Sequence, residues 1–337
     1  MVLGGVEPAL LKNCYQKIIA LYQERRLRAF FRQEQQARWS VLLSVGLIML
    51  TVSSCSDDYE REVGLHFNRD WKFILDEVND WSAMTVDDAN WETIHLPHDW
   101  SIAFAPDSLS GEGCTAYLPG GVGWYRKHFT TAASDDEVTY LVFDGVYNNS
   151  EVFLNGQKIG ERPYGYVPFF FDLTEHLKAF GRENILAVKV DRTRYADSRW
   201  YSGSGIYRKV ALKVVPAVHI PVWGTFVSTP TVSEESAEVQ TEVQLINTSD
   251  RDSEARLHYT LINPQGQEVM TYWSDPILLT AGDQQMIQQR FTVPKPALWD
   301  IGHPNLYNLV VKVQRDNETI QEETTVFGIR TFSFDAE

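Results

Sequence analysis

The sequence predicts an all-β chain built as two antiparallel sandwiches in succession, and three observations predict it. Apolar runs of strand length follow one another from Val63 onward, separated by clusters of Gly, Asn, Asp, Pro and Ser. Hairpin signals such as Asn155-Gly156 stand between these runs, because both central residues of the favoured two-residue turn need positive φ. Helix signals are confined to a turn near Val86 to Ala89 and to Leu173 to Leu177, where Asp172 is placed to cap. Many short strands with almost no helix leave a sandwich as the architecture.

In chain order, Leu65-His66-Phe67, Trp71 to Leu75, Val138 to Phe143, Ser150 to Leu154, Gln157 to Ile159, Ile185 to Val190 and Val210 to Val215 read as the strands of the first sandwich. Pro216 and Pro221 bracket a boundary. Beyond it come Val222 to Ser228, Ala237 to Ile246, Ala255 to Ile262, Thr271 to Trp273, Gln285 to Val293, Leu306 to Val313 and Thr319 to Val326. Turn residues separate them, as in Thr248-Ser249-Asp250, Asn263-Pro264-Gln265-Gly266 and Asp316-Asn317. This number and spacing of strands is that of an immunoglobulin-like sandwich, in a form without the inter-sheet disulfide because the region has no Cys. The expected organisation is an N-terminal extension with an export signal over 1–54, a linker over 55–63, sandwiches over 64–216 and 217–334, and a short tail over 335–337.

Composition bounds the function. The 337 residues are 44% hydrophobic, enough to fill real cores, and the ten Trp and fifteen Tyr suit β-rich domains or surfaces on which flat rings stack against sugars. The net charge is −15, and with the first 54 residues set aside 23 basic residues face 42 acidic ones. So acidic a body repels phosphate backbones, which argues against nucleic acid as a partner. Cys14, Cys55 and Cys114 are too scattered for a disulfide framework or a zinc site, and Cys114 is read as an unpaired thiol.

The N-terminus reads as an address. Trp39 to Val52 is an apolar run too short to span a bilayer comfortably, preceded by Arg32 and Arg38 and followed by Ser53 and Ser54. Val52-Ser53-Ser54-Cys55 resembles a bacterial lipoprotein box, which implies cleavage before Cys55 and its lipidation. Ser56-Asp57-Asp58 resembles the acidic export tag of Bacteroidetes surface lipoproteins. Several acyl chains, at roughly 0.8 kcal/mol per buried methylene, hold a protein stably on a membrane. The expected location is therefore the periplasm or surface of a Gram-negative cell; the alternative is a buried helix with an incidental cysteine. Upstream, Leu10, Leu11, Ile18, Ile19, Leu21 and Leu27 have helical spacing beside Arg25, Arg26 and Arg28, which leaves open a membrane-surface helix or a misassigned start.

The first sandwich carries, in order, Leu96-Pro97-His98-Asp99-Trp100, Gly121-Val122-Gly123-Trp124-Tyr125-Arg126-Lys127, Phe143-Asp144-Gly145-Val146, Val152 to Gly156, and Arg199-Trp200-Tyr201-Ser202-Gly203-Ser204-Gly205-Ile206-Tyr207-Arg208. The second carries Ala297-Leu298-Trp299, Pro304-Asn305-Leu306-Tyr307 and Phe327-Gly328-Ile329-Arg330. Over about residues 64 to 334 these resemble the sugar-binding jelly roll and the immunoglobulin-like domain of glycoside hydrolase family 2, on the β-galactosidase side of that family. The resemblance implies that a TIM barrel follows, bearing an acid/base glutamate and a nucleophile glutamate about 5 Å apart for a retaining mechanism. The sequence stops at Glu337, so the expectation is that 335–337 begin the link to the barrel and that no catalytic residue lies on this chain. Its one Asn-Glu pair, Asn317-Glu318, falls in an expected hairpin turn. The competing reading is a lipid-anchored carbohydrate-binding or adhesion protein without hydrolysis; a third is a fragment that assembles with a separately encoded barrel.

In the family the jelly roll supplies polar groups beside the terminal galactose, from the segment just before the Ser-Gly-Ile motif. Here that segment contains Asp197, Ser198, Arg199 and Trp200: a carboxylate or guanidinium to bond sugar hydroxyls, and a ring face for its C–H side. Which of Asp197, Ser198 and Arg199 matches is open, and the alternative is that Trp200 and Tyr201 are core rings while Arg199 pairs with a surface acid. The loop from Gly113 to Gly121, with Tyr117, is a second candidate. The partner so implied is a β-galactoside or related glycan. No metal or other cofactor is assigned, since the family's metal ligands lie mainly in the barrel. His98-Asp99 is read as structural beside Trp100 and not as a catalytic pair, and Gly203 and Gly205 as turn glycines, since no helix follows to make a phosphate cradle.

Overall fold

A computed structural model describes residues 67–334, apart from 110, 112, 132, 135, 180, 194–201 and the side chain of Cys114. Cys55 and Asp197 to Trp200 lie outside the described residues. The described chain is all-β, a jelly-roll sandwich followed by an immunoglobulin-like one. Among the described residues no helix is long and apolar enough to cross a membrane.

The first sandwich has a six-stranded sheet ordered β2-β1-β3-β8-β5-β6, made of Glu92–Ile94, Trp71–Leu75, Gly121–Phe129, Asn184–Arg192, Ser150–Leu154 and Gln157–Arg162. Facing it is a three-stranded sheet, β7-β4-β9, of Phe169–Asp172, Glu137–Phe143 and Val210–Pro216. Every pairing is antiparallel. Trp71, Phe73, Tyr125, Leu141, Phe143, Leu154, Leu186, Val188 and Val190 fill the space between the sheets. Asn155 and Gly156 both have positive φ, 53° and 84°, so the β5–β6 hairpin closes with the turn its sequence demands.

The second sandwich packs β10 (Val218–His219), β12 (Ser236–Asn247), β11 (Thr225–Val232) and β16 (Gln284–Pro294) against β14 (Glu268–Trp273), β13 (Ser253–Ile262), β17 (Tyr307–Arg315), β18 (Glu318–Phe327) and β15 (Ile277–Leu279). Val243, Leu245, Leu257, Tyr259, Leu309, Val311 and Val313 form its core. Asp316 and Asn317 turn the chain at φ 53° and 65°, so Asn317-Glu318 is a hairpin corner as its sequence indicates.

The sandwiches meet through β4, which is buried on both faces. Leu141 and Phe143 face the first core, whereas Val138, Tyr140 and Val142 pack with Val215 and Val222. Tyr140 Oη lies 2.9 Å from Nε2 of the fully buried His219. His219 Nδ1 is directed at the Ala217 carbonyl, 3.3 Å away, which leaves Nε2 to accept the Tyr140 hydroxyl proton.

Several local expectations change. Phe67 starts a helical turn and is not a strand residue. Residues 86–89 form turns without helix, because Asp88 is drawn inward to Arg126. The Leu173 to Leu177 signal shortens to a 3₁₀ turn, Thr174–His176, in which Asp172 Oδ1 accepts the Thr174 amide at 2.9 Å. The strand expected from Val222 starts at Thr225, since Trp223 takes a positive φ of 60°.

Candidate functional site

The candidate site lies at the end of the first sandwich where β8 finishes and the chain returns at Ser202. Its floor is the segment after β2. His98 donates its backbone amide to the Ile206 carbonyl at 2.8 Å, and the Ile206 amide donates to Tyr125 Oη. Tyr125 Oη is thereby left to donate to His98 Nδ1 at 2.9 Å. Burial lowers the His98 pKa, against the opposing charges of Glu92 and Asp99, so the ring is neutral and suited to accept. Phe73 stacks on Trp100 at 5.7 Å and meets Tyr125 at 4.8 Å, locking the floor aromatically.

Asp99 does not pair with His98. Its Oδ1 accepts the amides of Ser101 and Ser204 at 3.1 and 3.0 Å, across 105 residues of sequence. This fixes Gly203 at φ 76° and Gly205 at φ 123°. A Cβ on Gly205 would lie 2.2 Å from Tyr125 Oη, so glycine is required there by space as well as by backbone angle.

The loop from Gly113 to Gly121 joins the same end. Ser101 Oγ donates to the Pro119 carbonyl and shares a second hydrogen bond with Ser204 Oγ, both at 2.6 Å. Gly120 lies against the backbone of Arg192: an added Cβ would be 2.1 Å from its carbonyl oxygen. The loop carrying Tyr117 is thus tied to Ser204 through Ser101 and Pro119, and where it ends at Gly121 it pairs with Arg192 on β8. Tyr117 itself has φ 60°, presents 47% of its surface, and accepts the Asp107 amide at its carbonyl. Of the residues singled out from sequence, Tyr117 is therefore placed at this end, whereas Asp197, Ser198, Arg199 and Trp200 lie outside the described residues.

Sequence reasoning missed the tyrosines. Tyr164 and Tyr166, 58% and 41% exposed, cross at 5.7 Å, and Tyr166 packs on Tyr147 at 5.2 Å. Tyr166 Oη donates to Ser202 Oγ at 3.2 Å, which puts an exposed aromatic strip beside the return of the chain. The available signal was Pro163-Tyr164-Gly165-Tyr166, rings spaced by a glycine that must be a glycine, since a Cβ would sit 2.3 Å from Tyr147. Next to this strip, Asn149, Ser150, Glu151, Glu161, Pro163, Lys189 and Asp191 line a polar cavity of about 300 Å³.

A glycosidic general acid needs a carboxyl pushed upward. Among the described residues, every carboxyl with a resolved shift is held down. Asp76 is lowered to about 2, first by the Asn79 side chain and then by backbone amides. Glu161 is lowered by Lys158, and Asp300 by the His303 amide and side chain. Burial pushes Asp88 up, but hydrogen bonds from His128 and Arg126 outweigh it. No group of three or more His, Cys, Asp or Glu side chains among the described residues could hold a metal ion.

Fold and site together define a jelly-roll sandwich with an exposed aromatic strip at one end, carried on an immunoglobulin-like sandwich. Residues 66–216 match the family profile described as "Glycosyl hydrolases family 2, sugar binding domain", and residues 218–330 match that described as "Glycosyl hydrolases family 2". The chain belongs to glycosyl hydrolase family 2. It is similar to a β-galactosidase of Bacteroides ovatus, 44% identical over 273 residues, covering 80% of this chain and 32% of that protein. A β-glucuronidase of Formosa agariphila is 31% identical over 293 residues, covering 80% and 30%. Among solved structures, a family 2 member from Bacteroides cellulosilyticus superposes with a TM-score of 0.72 at 34% identity, covering 80% of this chain and 36% of that one. The chain thus spans about a third of the length of these relatives.

Proposed function

We propose that this chain is the sugar-binding and supporting part of an exported β-galactosidase-type glycoside hydrolase. Its jelly roll forms one wall of the site for a terminal β-galactoside. The proton donor and nucleophile of the retaining reaction belong to a barrel domain outside residues 1–337. In this reading the segment 197–200 and Tyr117 meet the sugar, while Asp99, Ser101 and Ser204 hold those loops in position. The observation that supports it is the attachment of the Tyr117 loop to Ser204 through Ser101 and to Arg192 through the Gly121 pairing. Such an attachment pre-orders the Tyr117 loop before sugar arrives, which lowers the entropy cost of binding. The relatives include both β-galactosidases and β-glucuronidases, and the β-galactosidase of Bacteroides ovatus at 44% identity supports the galactoside assignment.

Export rests on the sequence alone: the apolar run 39–52 and Cys55 followed by Ser56-Asp57-Asp58 support a lipidated, membrane-anchored form. Metabolic labelling with a palmitate analogue, lost on Cys55→Ala, tests it; unchanged labelling of the variant would refute it. Reading the coding DNA downstream of Glu337 tests the division of labour. A barrel bearing two glutamates at strand ends is expected there or in an adjacent frame. Its absence, together with galactoside binding by this chain, would favour a binding protein without hydrolysis.

A further inference from the structure

We propose that the polar cavity between β5, β6 and β8 is a second sugar subsite, one that accepts an uncharged hexose unit and turns away uronic acids. Only the identity of the sugar rests on the function proposed above; the cavity and its selectivity stand on their own geometry.

At about 300 Å³ the cavity is at the small end of the range for small-molecule sites, roughly 300–1,000 Å³, which fits one sugar ring and not a long chain. Its walls are those of a hydroxyl-rich ligand. Glu151, Glu161 and Asp191 supply acceptors, Lys189 supplies a donor and Pro163 the apolar surface, while the Asn149 side-chain amide and the Ser150 hydroxyl shape the wall by donating to the Asp191 and Arg162 carbonyls. The donors and acceptors sit on paired strands. Ser150 stands opposite Val190 and Glu151 opposite Lys189, while Ser150 and Glu151 face Arg162 and Glu161 across the hairpin. A rigid sheet therefore holds them in place, as a preformed site requires.

Charge decides the ligand class. Lys158 bonds Glu151 at 2.6 Å and Glu161 at 2.7 Å, and Lys189 approaches Glu151 at 3.7 Å. Glu151 and Glu161 are thus held by Lys158, with Lys189 beside Glu151, whereas Asp191 Oδ1 accepts the amide and hydroxyl of Thr193 and pairs with neither lysine. The remaining excess is negative, and it repels a sugar carboxylate while leaving neutral hydroxyls unaffected.

Position links the cavity to the site already described. Asn149 donates its amide to the Pro163 carbonyl at 3.1 Å, and Pro163 leads directly into the exposed Tyr164–Tyr166 strip that ends at Ser202. Asp191 binds Thr193 through its amide and hydroxyl at the last described step before residue 194. A glycan with one unit at the loop end can therefore run over the tyrosine faces, which stack on sugar C–H surfaces, and place another unit in the cavity.

The test is an amide NMR titration of the full chain with methyl β-galactoside, methyl β-glucuronide and calcium chloride in separate series. Saturable shifts at Ser150, Glu151 and Lys189 are expected with the galactoside and absent with the glucuronide at equal concentration. Replacing both carboxylates, Glu151→Gln with Glu161→Gln, is expected to narrow the difference between the two sugars by about tenfold. Shifts confined to Tyr117 and Ser202 would overturn the subsite while leaving the proposed function intact. Shifts at the cavity with none at Tyr117 or Ser202 would uphold the subsite and count against the proposed wall. Equal shifts with both sugars, or the same amides moving with calcium alone, would overturn the inference.

Discussion

The two sandwiches solve burial in different ways, and the difference marks where the candidate site lies. In the second, β12 alternates buried and half-exposed residues along its whole length, with Ala237, Val239, Thr241, Val243 and Leu245 inward. Its turns are short, and its sheets have one face in the core and one in water. In the first, β4 is buried on both faces, and the interior positions of β3 from Val122 to Arg126 are buried without a break. Something covers the outer face of each strand: the second sandwich covers β4, and the loop of 76–91 covers β3 with Trp81, Val86 and Trp91 over Val122 and Trp124. The second sandwich is a support; the first is wrapped by its own loops, and those loops carry the site.

The first prediction aims at that wrapping. Arg126 is fully buried, bonded through Nε to Asp88 at 2.8 Å and through a terminal nitrogen to the carbonyls of Trp81 and Ala83. Asp88→Ala leaves the guanidinium without its counter-charge and should cost about 3–5 kcal/mol in urea unfolding. Arg290–Glu238 on the second sandwich is exposed, and Glu238→Ala should cost less than about 1 kcal/mol. Similar losses from both variants would erase the distinction between a clamped loop and a solvated strand face.

The glycines sharpen the same contrast. Gly205→Ala drives a methyl toward Tyr125 Oη at a positive φ and should cost about 3 kcal/mol, by strain and overpacking together. Gly266 also has positive φ, 78°, but open space around it, so Gly266→Ala should cost about 1 kcal/mol. Thermal unfolding of the two variants in parallel reads the difference; equal losses would show that the packing at the site end is looser than described.

This contrast also governs what the sequence made legible. Alternation gave the long strands of the second sandwich to within a few residues, because one wet face leaves a period of two in the text. Gly121–Phe129 was not recognisable as a strand, since double-sided burial removes the period, and Phe169–Asp172 was not because three consecutive Phe put an apolar side chain on the exposed face as well. Ile277–Leu279 was missed because it is only three residues long. Tyr117 and the turn glycines could be found by resemblance and by residue type. The clamp between Arg126 and Asp88 and the cavity could not, because each brings together residues dozens of positions apart, and the Tyr164–Tyr166 pair, though close in sequence, shows its place only through its contacts with Tyr147 and Ser202.

A smaller effect probes the seam. Burial lowers the pKa of His219, so the unfolded chain binds a proton at acid pH that the folded chain refuses. Its contribution to stability is present above about pH 6.5 and is lost as the pH falls below that value. Tyr140→Phe leaves Nε2 of His219 buried without its donor and should cost about 1–3 kcal/mol at neutral pH. A stability profile that rises on acidification from pH 7 to 5 would contradict this account of the seam.

The most direct measurement of the central claim is hydrolysis of a chromogenic β-galactoside by the purified chain of residues 1–337, with sugar binding followed in the same sample. The account predicts saturable binding with no inhibitor-sensitive release of chromophore, because it assigns the proton donor and nucleophile to a barrel domain outside residues 1–337. Steady turnover that is abolished by replacing a single glutamate or aspartate within residues 67–334 would contradict it.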